Sequence, residues 1–446
     1  MRLPPYPTYK PSDVDWLGAV PEHWQVKRLK LAVRLTDIKV EADEENPVPY
    51  IGMENIEPWT GRLLSLDPDV VPTGTANSFK ARNTLFGKLR PYLAKACNPD
   101  FDGLCSTELL VLDGADIDRR ALLYSLLANG FIKLVDSSTY GSKMPRASWD
   151  FIGNCIVPVA PTDEQGTFAD FLDRETAQID ALVAKKRTLI ERLKEKRTAL
   201  ISRTVTRGLP PEAACAANLN PLPKLRPSDF DWLGDVPEGW AHTRLKRIVT
   251  ISGRIGFRGY TTDDLVDEGE GALALGGANL TDSGCLDLSN RTYLSWDKYE
   301  ESPEIKVSLH DLLIGQRGTC GRVALVDVEI GAATINPSLV LLKRPRIASR
   351  FLRFWLMSSA VQAILESLLG TTAVPMLSQA QIGSVPVLVP PIPMQTAIAD
   401  FLERETASID DMVGKVEAAI DRLQEYRSAL ITAVVTGKID VRGEAS

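Results

Sequence analysis

The chain is written twice, and this internal repeat constrains its fold more than any other feature. Residues Pro11–Trp24 (PSDVDWLGAVPEHW) recur as Pro227–Trp240 (PSDFDWLGDVPEGW), offset by 227 − 11 = 216 positions, and each copy runs on into an Arg-Leu-Lys that ends at Lys30 or Lys246. A second block, Ala169–Asp180 (ADFLDRETAQID), returns as Ala399–Asp410 (ADFLERETASID), offset by 399 − 169 = 230. Between these blocks the halves share little, and the second intervening stretch is longer by 230 − 216 = 14 residues. Matches this long do not arise from composition. The plan is constant–variable–constant, performed twice, with related but unequal halves.

The later constant block reads as helix. Apolar residues recur every seven positions at Ile409, Val416, Leu423 and Leu430, with Met412, Ala419, Tyr426 and Ala433 as a companion series. The first copy is more polar: Ile179, Lys186, Leu193 and Leu200 with Leu182, Leu189, Lys196 and Arg203, flanked by Val183 and Ile190. No Pro interrupts either stretch and each stops near a Gly, Gly208 or Gly437. The span Thr176–Val205 would be about 45 Å long at 1.5 Å per residue. The seam expected is Ile179, Leu182, Leu189, Leu193 and Leu200 against Ile409, Met412, Val416, Leu423, Tyr426 and Leu430, an antiparallel coiled coil within one chain. The variable stretches alternate short β-rich runs (Glu108–Leu112, Ser338–Leu342) with turn residues, and a helix follows each, over 118–128 and 348–369.

The expected fold is therefore α/β (α+β), two copies of a recognition-type domain separated by two long helices. The boundaries predicted are 1–160 (first domain), 161–207 (first helical spacer), 208–226 (a Pro/Ala/Asn-rich linker), 227–390 (second domain), 391–440 (second spacer) and 441–446 (tail).

Charge is informative by location. The net charge is −7, yet 79–99 holds no acid and carries Lys80, Arg82, Lys88, Arg90 and Lys95. The stretch 331–365 is likewise acid-free, with Lys343, Arg344, Arg346, Arg350 and Arg353. An acidic average with basic windows suits a protein that meets DNA on one face and protein elsewhere. No apolar run approaches a membrane span. The opening MRLPPYPTYKPSD lacks the apolar core of an export signal, and the six Cys include no Cys-x-x-Cys pair. A cytoplasmic protein with reduced thiols is expected.

Catalytic constellations are missing. The three His (His23, His242, His310) stand alone, with no ligand spacing, so no metal site is expected. Asn336-Pro-Ser-Leu lacks the second Pro and the aromatic of an adenine methyltransferase motif. The turn Gly315–Gly321 (GQRGTCG) lacks the G-x-G-x-x-G form, Glu304-Ile-Lys306 has no Pro-Asp just before it, and there is no Walker A lysine loop.

Two variable domains, each followed by a repeated helical segment, resemble the specificity subunits of type I restriction–modification systems. The motifs carrying the resemblance are Asp-Trp-Leu-Gly-x-Val-Pro-x-x-Trp and Phe-Leu-(Asp/Glu)-Arg-Glu-Thr-Ala-x-Ile-Asp. With them go Leu193–Ile201 (LKEKRTALI), Leu423–Ile431 (LQEYRSALI) and the exit GSVPVLVPP that starts at Gly383. The resemblance implies a non-catalytic subunit whose domains each read half of a split, asymmetric double-stranded DNA target. The helices would set the unread spacer and dock two modification (adenine methyltransferase) subunits. S-adenosylmethionine, ATP and Mg would then sit on partners, including restriction (translocase/nuclease) subunits, with no cofactor in this chain. A coiled-coil adaptor that binds only proteins is the alternative.

Candidate DNA contacts in the first domain are Lys88, Arg90, Tyr92 and Lys95 in one turn and Ser142 and Lys143 in another. The second domain offers Gln316, Arg317 and Arg322, with Thr371 and Thr372 after Gly370. The repeated Trp16/Trp232 and Trp24/Trp240 are read as aromatic anchors of each domain on its helix.

Overall fold

A computed structural model describes residues 4–41, 48–67, 74–228, 230, 233–254, 259–369 and 375–444. The chain divides into two compact units, 1–187 with 417–446, and 188–416.

In the first unit, two four-stranded sheets build the domain. One orders Lys39–Glu41, Thr75–Phe79, Gly103–Cys105 and Tyr50–Ile51; the other orders Val33–Thr36, Leu109–Gly114, Thr84–Gly87 and Ala96–Cys97. All pairings are antiparallel except Tyr50–Ile51 with Gly103–Cys105. Leu109, Leu110, Val111 and Leu112 are all buried, as an unbroken apolar run on a strand covered on both faces must be. Helix α1 (Arg119–Leu126) follows, its first turn capped by the Asp118 carboxylate, which accepts from the backbone of Arg120 and Ala121.

The second unit repeats the plan with one change of topology. One sheet orders Thr250–Gly253, Leu339–Lys343, Leu312–Gly315 and Val323–Leu325; the other orders Leu265–Val266, Tyr293–Ser295, Gly271–Leu275 and Ala333–Ile335. The parallel pair is Gly271–Leu275 with Ala333–Ile335. Its antiparallel neighbour lies beside the earlier strand, whereas in the first unit it lies beside the later one. On the Ala333–Ile335 strand the buried Arg254 guanidinium donates to the Ile335 carbonyl (3.1 Å) and Thr334 Oγ1 (3.1 Å). The halves therefore differ in build as well as in side chains. The domain's helix is split at Ser358 into Ser349–Met357 and Ser359–Ser367, and the counterpart over 118–128 stops at Leu126.

The constant segments bracket each domain. Gln25–Arg28 pairs with Ile156–Val159, and Ala241–Arg244 pairs with Pro386–Val389, so each domain's entering and leaving chains form one ribbon. From that ribbon springs a long helix: α2 (Thr162–Arg207, 46 residues) and α4 (Ile392–Val435, 44 residues), with Ser349–Met357 taken as α3. Each long helix starts directly after the ribbon, at Thr162 or Ile392, well before its heptad stretch. Among the described residues no helix is long and apolar enough to cross a membrane.

Each domain is fastened to its long helix by the same set of bonds. Gln165 donates to the Ala160 carbonyl and accepts from the Asp118 backbone; Gln395, 230 positions on, donates to Pro390 and accepts from Ala348. Arg120 of α1 pairs with Asp170 (2.6 Å) and Asp173 (2.9 Å). Arg350 of α3 pairs with Asp400 (2.8 Å) and Glu403, and Arg353 with Glu403 (2.8 Å). Two cations of the second basic window are thereby committed to protein. Trp24 and Trp240 are both buried, beside Gly437 and Gly208 respectively. Trp16 packs edge-on against Phe131, and Trp232 lies outside the described residues.

The long helices bury a stripe one residue away from part of the expected seam. On α2 it runs Thr176, Ile179, Val183 and Ile190, and on α4 Thr406, Ile409, Ile420, Arg427, Leu430 and Val434. Leu193, Leu200, Val416 and Leu423 are half-buried. Leu182, Leu189, Met412 and Tyr426 are instead 43, 45, 39 and 56% exposed, so these four expected seam positions face outward. The partner series sits four residues after Ile179 and Ile409, not three. In the first unit α2 and α4 run in opposite directions, since Asp180 meets Arg427 while Arg174, earlier on α2, reaches the Glu444 carbonyl just beyond α4.

Candidate nucleic-acid interface

The two basic turns of the first domain lie side by side. Ala147 N–H donates to the Lys88 carbonyl (3.0 Å), Arg90 N–H donates to the Pro145 carbonyl (2.7 Å), and Leu89 and Tyr140 each bridge to Arg146. Arg90 and Ala94 both take left-handed backbone (φ 49° and 46°) and bracket the single turn Pro91–Leu93, which leaves Tyr92 45% exposed. Arg90, Ser142 and Lys143 are exposed, and none of these side chains, nor those of Lys88 and Tyr92, makes a hydrogen bond or ion pair within the described residues. A cleft of about 560 Å³ opens beside them, lined by Thr36, Lys39, Asn77, Lys88, Tyr140 and Arg146 among others.

The remaining cations of that basic window have internal partners. Lys95 Nζ donates to the Met53 carbonyl (2.5 Å), and burial pushes its ammonium below the usual lysine range. Lys80 pairs with Asp102 and Arg82 with Asp113. Five cations in sequence thus reduce to two that can answer a phosphate, Lys88 and Arg90, and the neighbouring turn adds Lys143.

The second domain has the same backbone arrangement with other side chains. Gln316 N–H donates to Ser338, and Leu377 N–H to Gln316, as Lys88 does to Glu108 and Ala147 to Lys88. Lys88 therefore corresponds to Gln316, Glu108 to Ser338, Arg146 to Met376 and Leu89 to Arg317. The chemistry changes at every one. Arg146 forms a two-pronged pair with Glu108 (Nε 3.1 Å, Nη2 2.9 Å), whereas Met376 Sδ accepts from Arg317 (2.9 Å). Gln316 Nε2 donates to the Pro337 carbonyl (2.8 Å), and Arg322 to Leu280 and Asp282. Gln316, Arg317 and Arg322 are thus tied into their own domain. Thr371 and Thr372 lie outside the described residues.

Arg146, Glu108, Lys39 and Asn77 escaped the sequence reading. One signal was available: Pro145-Arg-Ala-Ser148 and Pro375-Met-Leu-Ser378 share a Pro-x-x-Ser at the 230 offset, and both serines cap the helix that follows. Among the described residues no cluster of His, Cys, Asp and Glu could hold a metal.

Residues 282–420 match the family described as type I restriction modification DNA specificity domain. Over 322 residues the chain is 22% identical to the EcoBI specificity subunit of Escherichia coli, covering 71% of this chain and 65% of that one. Over 350 residues it is 22% identical to the MjaVIII specificity subunit of Methanocaldococcus jannaschii, covering 76% and 75%. The match to the EcoDI specificity subunit of Escherichia coli spans 42% of each chain, so two of these relatives are covered over less than two thirds of their length. In structure it resembles a chain described as "Structural basis underlying complex assembly and conformational transition of the type I R-M system". That likeness has a TM-score of 0.62 at 19% identity and covers 94% of this chain and 99% of the other, a likeness of fold.

Proposed function

We propose that this chain, which carries the DNA specificity domain of type I restriction–modification systems, is the specificity subunit of such a complex: a reader that directs chemistry and performs none. Each domain binds one half of a split, asymmetric double-stranded DNA target. The helices set the unread spacer as a coiled coil and dock two methyltransferase subunits. S-adenosylmethionine, ATP and Mg belong to those partners and to the restriction subunits, and the complex works in the cytoplasm.

The observation that carries this reading is the shared backbone arrangement with exchanged side chains. Lys88, Glu108 and Arg146 stand where the other domain has Gln316, Ser338 and Met376. A common scaffold holding different donors and acceptors suits two domains that read different base sequences by one docking mode. Lys88, Arg90 and Lys143 supply charge that makes no ion pair among the described residues.

Deleting the gene and mapping methylated adenines tests it. A two-part methylation motif present in the parent is expected to vanish completely and to return with the wild-type gene. A map unchanged by deletion, together with salt-independent DNA binding, would favour the protein-only adaptor.

The exposed Leu182 and Tyr426 in the first unit, and Leu189 and Met412 in the second, support the docking part. They are apolar residues at one heptad phase that the described chain leaves 39–56% exposed. Burying one leucine contributes about 1.5–3 kcal/mol, or roughly ten- to a hundredfold in affinity. Leu182→Glu is accordingly expected to weaken capture of the co-expressed methyltransferase at least about tenfold. The circular-dichroism signal should be unchanged, because the position is already at the surface. Undiminished capture by both Leu182→Glu and Tyr426→Glu would remove these residues from the docking face.

A further inference from the structure

Each unit buries one arginine in the seam of its long helices, and the two arginines are copies of each other. Arg427 on α4 stands 230 positions after Arg197 on α2. Their side chains are 7% and 12% exposed. Each pairs with an aspartate of the opposite helix, Arg427 with Asp180 and Arg197 with Asp410, both at 2.9 Å, and the aspartates are themselves 230 apart. An ion pair in an apolar stripe is a poor stabiliser of two helices, because desolvation offsets the attraction. Retention at both repeats calls for another use.

That use lies in the bonds left over. Arg427 Nη1 donates to the Trp59 carbonyl (2.7 Å) and Nη2 to the Thr60 carbonyl (2.9 Å), while Nε holds Asp180. Arg197 Nη2 donates to the Ser283 carbonyl (3.3 Å). Trp59 takes left-handed backbone (φ 64°), costly for an aromatic residue, in the loop that offers both carbonyls to the guanidinium.

The two loops occupy the same place in their domains. Each follows the first strand of the parallel pair and starts with a single turn, Met53–Asn55 or Gly277–Asn279. In both, the asparagine Oδ1 accepts from the glycine N–H before the turn, Gly52 or Gly276, at 2.8 Å. The loop is thus rigidly continuous with a sheet of its domain, and the arginine fork joins it to both helices.

We infer that Arg427 and Arg197 are positioning residues that seat each recognition domain on its helices and thereby set how strictly the complex discriminates spacer length. The inference rests on the function proposed above. A point charge cannot replace the fork, since an ammonium cannot hold a carboxylate and two carbonyls in one plane. Methionine fills the same volume and makes none of the bonds.

The test uses the full chain assembled with its methyltransferase subunits. The probes are duplexes carrying the target read from the methylation map, with the native spacer or one lengthened or shortened by a base pair. Wild type is expected to bind the altered spacers at least about tenfold more weakly. In Arg427→Met, and independently in Arg197→Met, that ratio should fall below about threefold with the native target still bound. Arg427→Lys should restore the melting temperature towards wild type and leave the ratio low, which a purely structural ion pair would not do. Should a methionine variant fail to fold, the aspartate of its own fork carries the same expectation, Asp180→Asn for Arg427 and Asp410→Asn for Arg197. Wild-type ratios in folded variants, or full recovery of the ratio by lysine, would overturn the inference. A wild-type complex without sequence preference would instead overturn the proposed function.

Discussion

Replacing Lys88, Arg90 and Lys143 together by alanine is expected to flatten the salt dependence of DNA binding and to weaken it by about a hundredfold near 0.15 M salt. Each phosphate neutralised by a cation releases condensed counterions and contributes about 0.9 to the slope of log affinity against log salt. Three lost contacts would lower the slope by about 2.7. Titration of the assembled complex between 50 and 200 mM salt measures this directly. The internal control is Lys80 with Arg82, cations of the same window already paired with Asp102 and Asp113. Their double substitution should change the slope by less than about half as much, since pairing already offsets part of each charge. Gln316→Ala removes no charge and should leave the slope alone, since the Gln316 amide is already bonded to the Pro337 carbonyl. Equal slopes for wild type and the triple variant would remove this face of the first domain from the interface. A chain of net charge −7 can behave this way because DNA affinity depends on where its unpaired cations lie and not on the sum of its charges.

The repeat made the architecture legible before any coordinates, because two copies of one constant block must fold alike. The phase of the helix seam was not legible, and the reason is physical. From the series at Ile179, Lys186, Leu193 and Leu200, a second buried series can stand three or four residues on, and apolar residues occupy both choices at Leu182/Val183 and Leu189/Ile190. The four-residue choice passes through Arg197 and Arg427, which look disqualifying in a seam until their aspartates and loop carbonyls are known. Hydrophobic periodicity has no way to credit a buried charge that is fully bonded.

Only some cations of the basic windows are free for a ligand, for a related reason. Arg350 and Arg353 look like a nucleic-acid face in sequence, yet Asp400 and Glu403 on the long helix neutralise them at a separation of about 50 residues. The first domain's counterpart Arg120 gave the same warning, since Asp170 and Asp173 occupy the corresponding positions of the first constant block. Variable domains must dock on constant helices, and part of their charge is conscripted to that end.

Glu164→Ala is expected to be strongly destabilising in the first unit, costing about 3–5 kcal/mol. The Glu164 side chain is 8% exposed, and its carboxylate gathers donors from distant parts of the chain. Tyr6 Oη donates to Oε2 (3.0 Å), Trp24 Nε1 also to Oε2 (2.9 Å), and His23 Nε2 lies 2.7 Å from Oε1. Arg442 stands 3.6 Å from Oε1, and its guanidinium stacks over the Tyr6 ring at 4.8 Å. Burial, then the Glu164 charge, pushes the Tyr6 phenol well above its ordinary range, so it stays a donor at any working pH. Alanine at 164 would strand the Trp24 and Tyr6 donors in a buried site, which is costlier than never having built it. The second repeat dispenses with the carboxylate and two of its donors, with Met394, Leu222 and Gly239 in place of Glu164, Tyr6 and His23, and keeps the tryptophan as Trp240. Glu164→Met should therefore fail to rescue, because the donors remain, whereas Glu164→Gln should cost only about 1–2 kcal/mol. For a unit of this size, 3–5 kcal/mol corresponds to a melting temperature lower by about 6–20 °C. Calorimetry of the three variants decides it: a shift under about 2 °C for Glu164→Ala would mean that the carboxylate's donors find other partners.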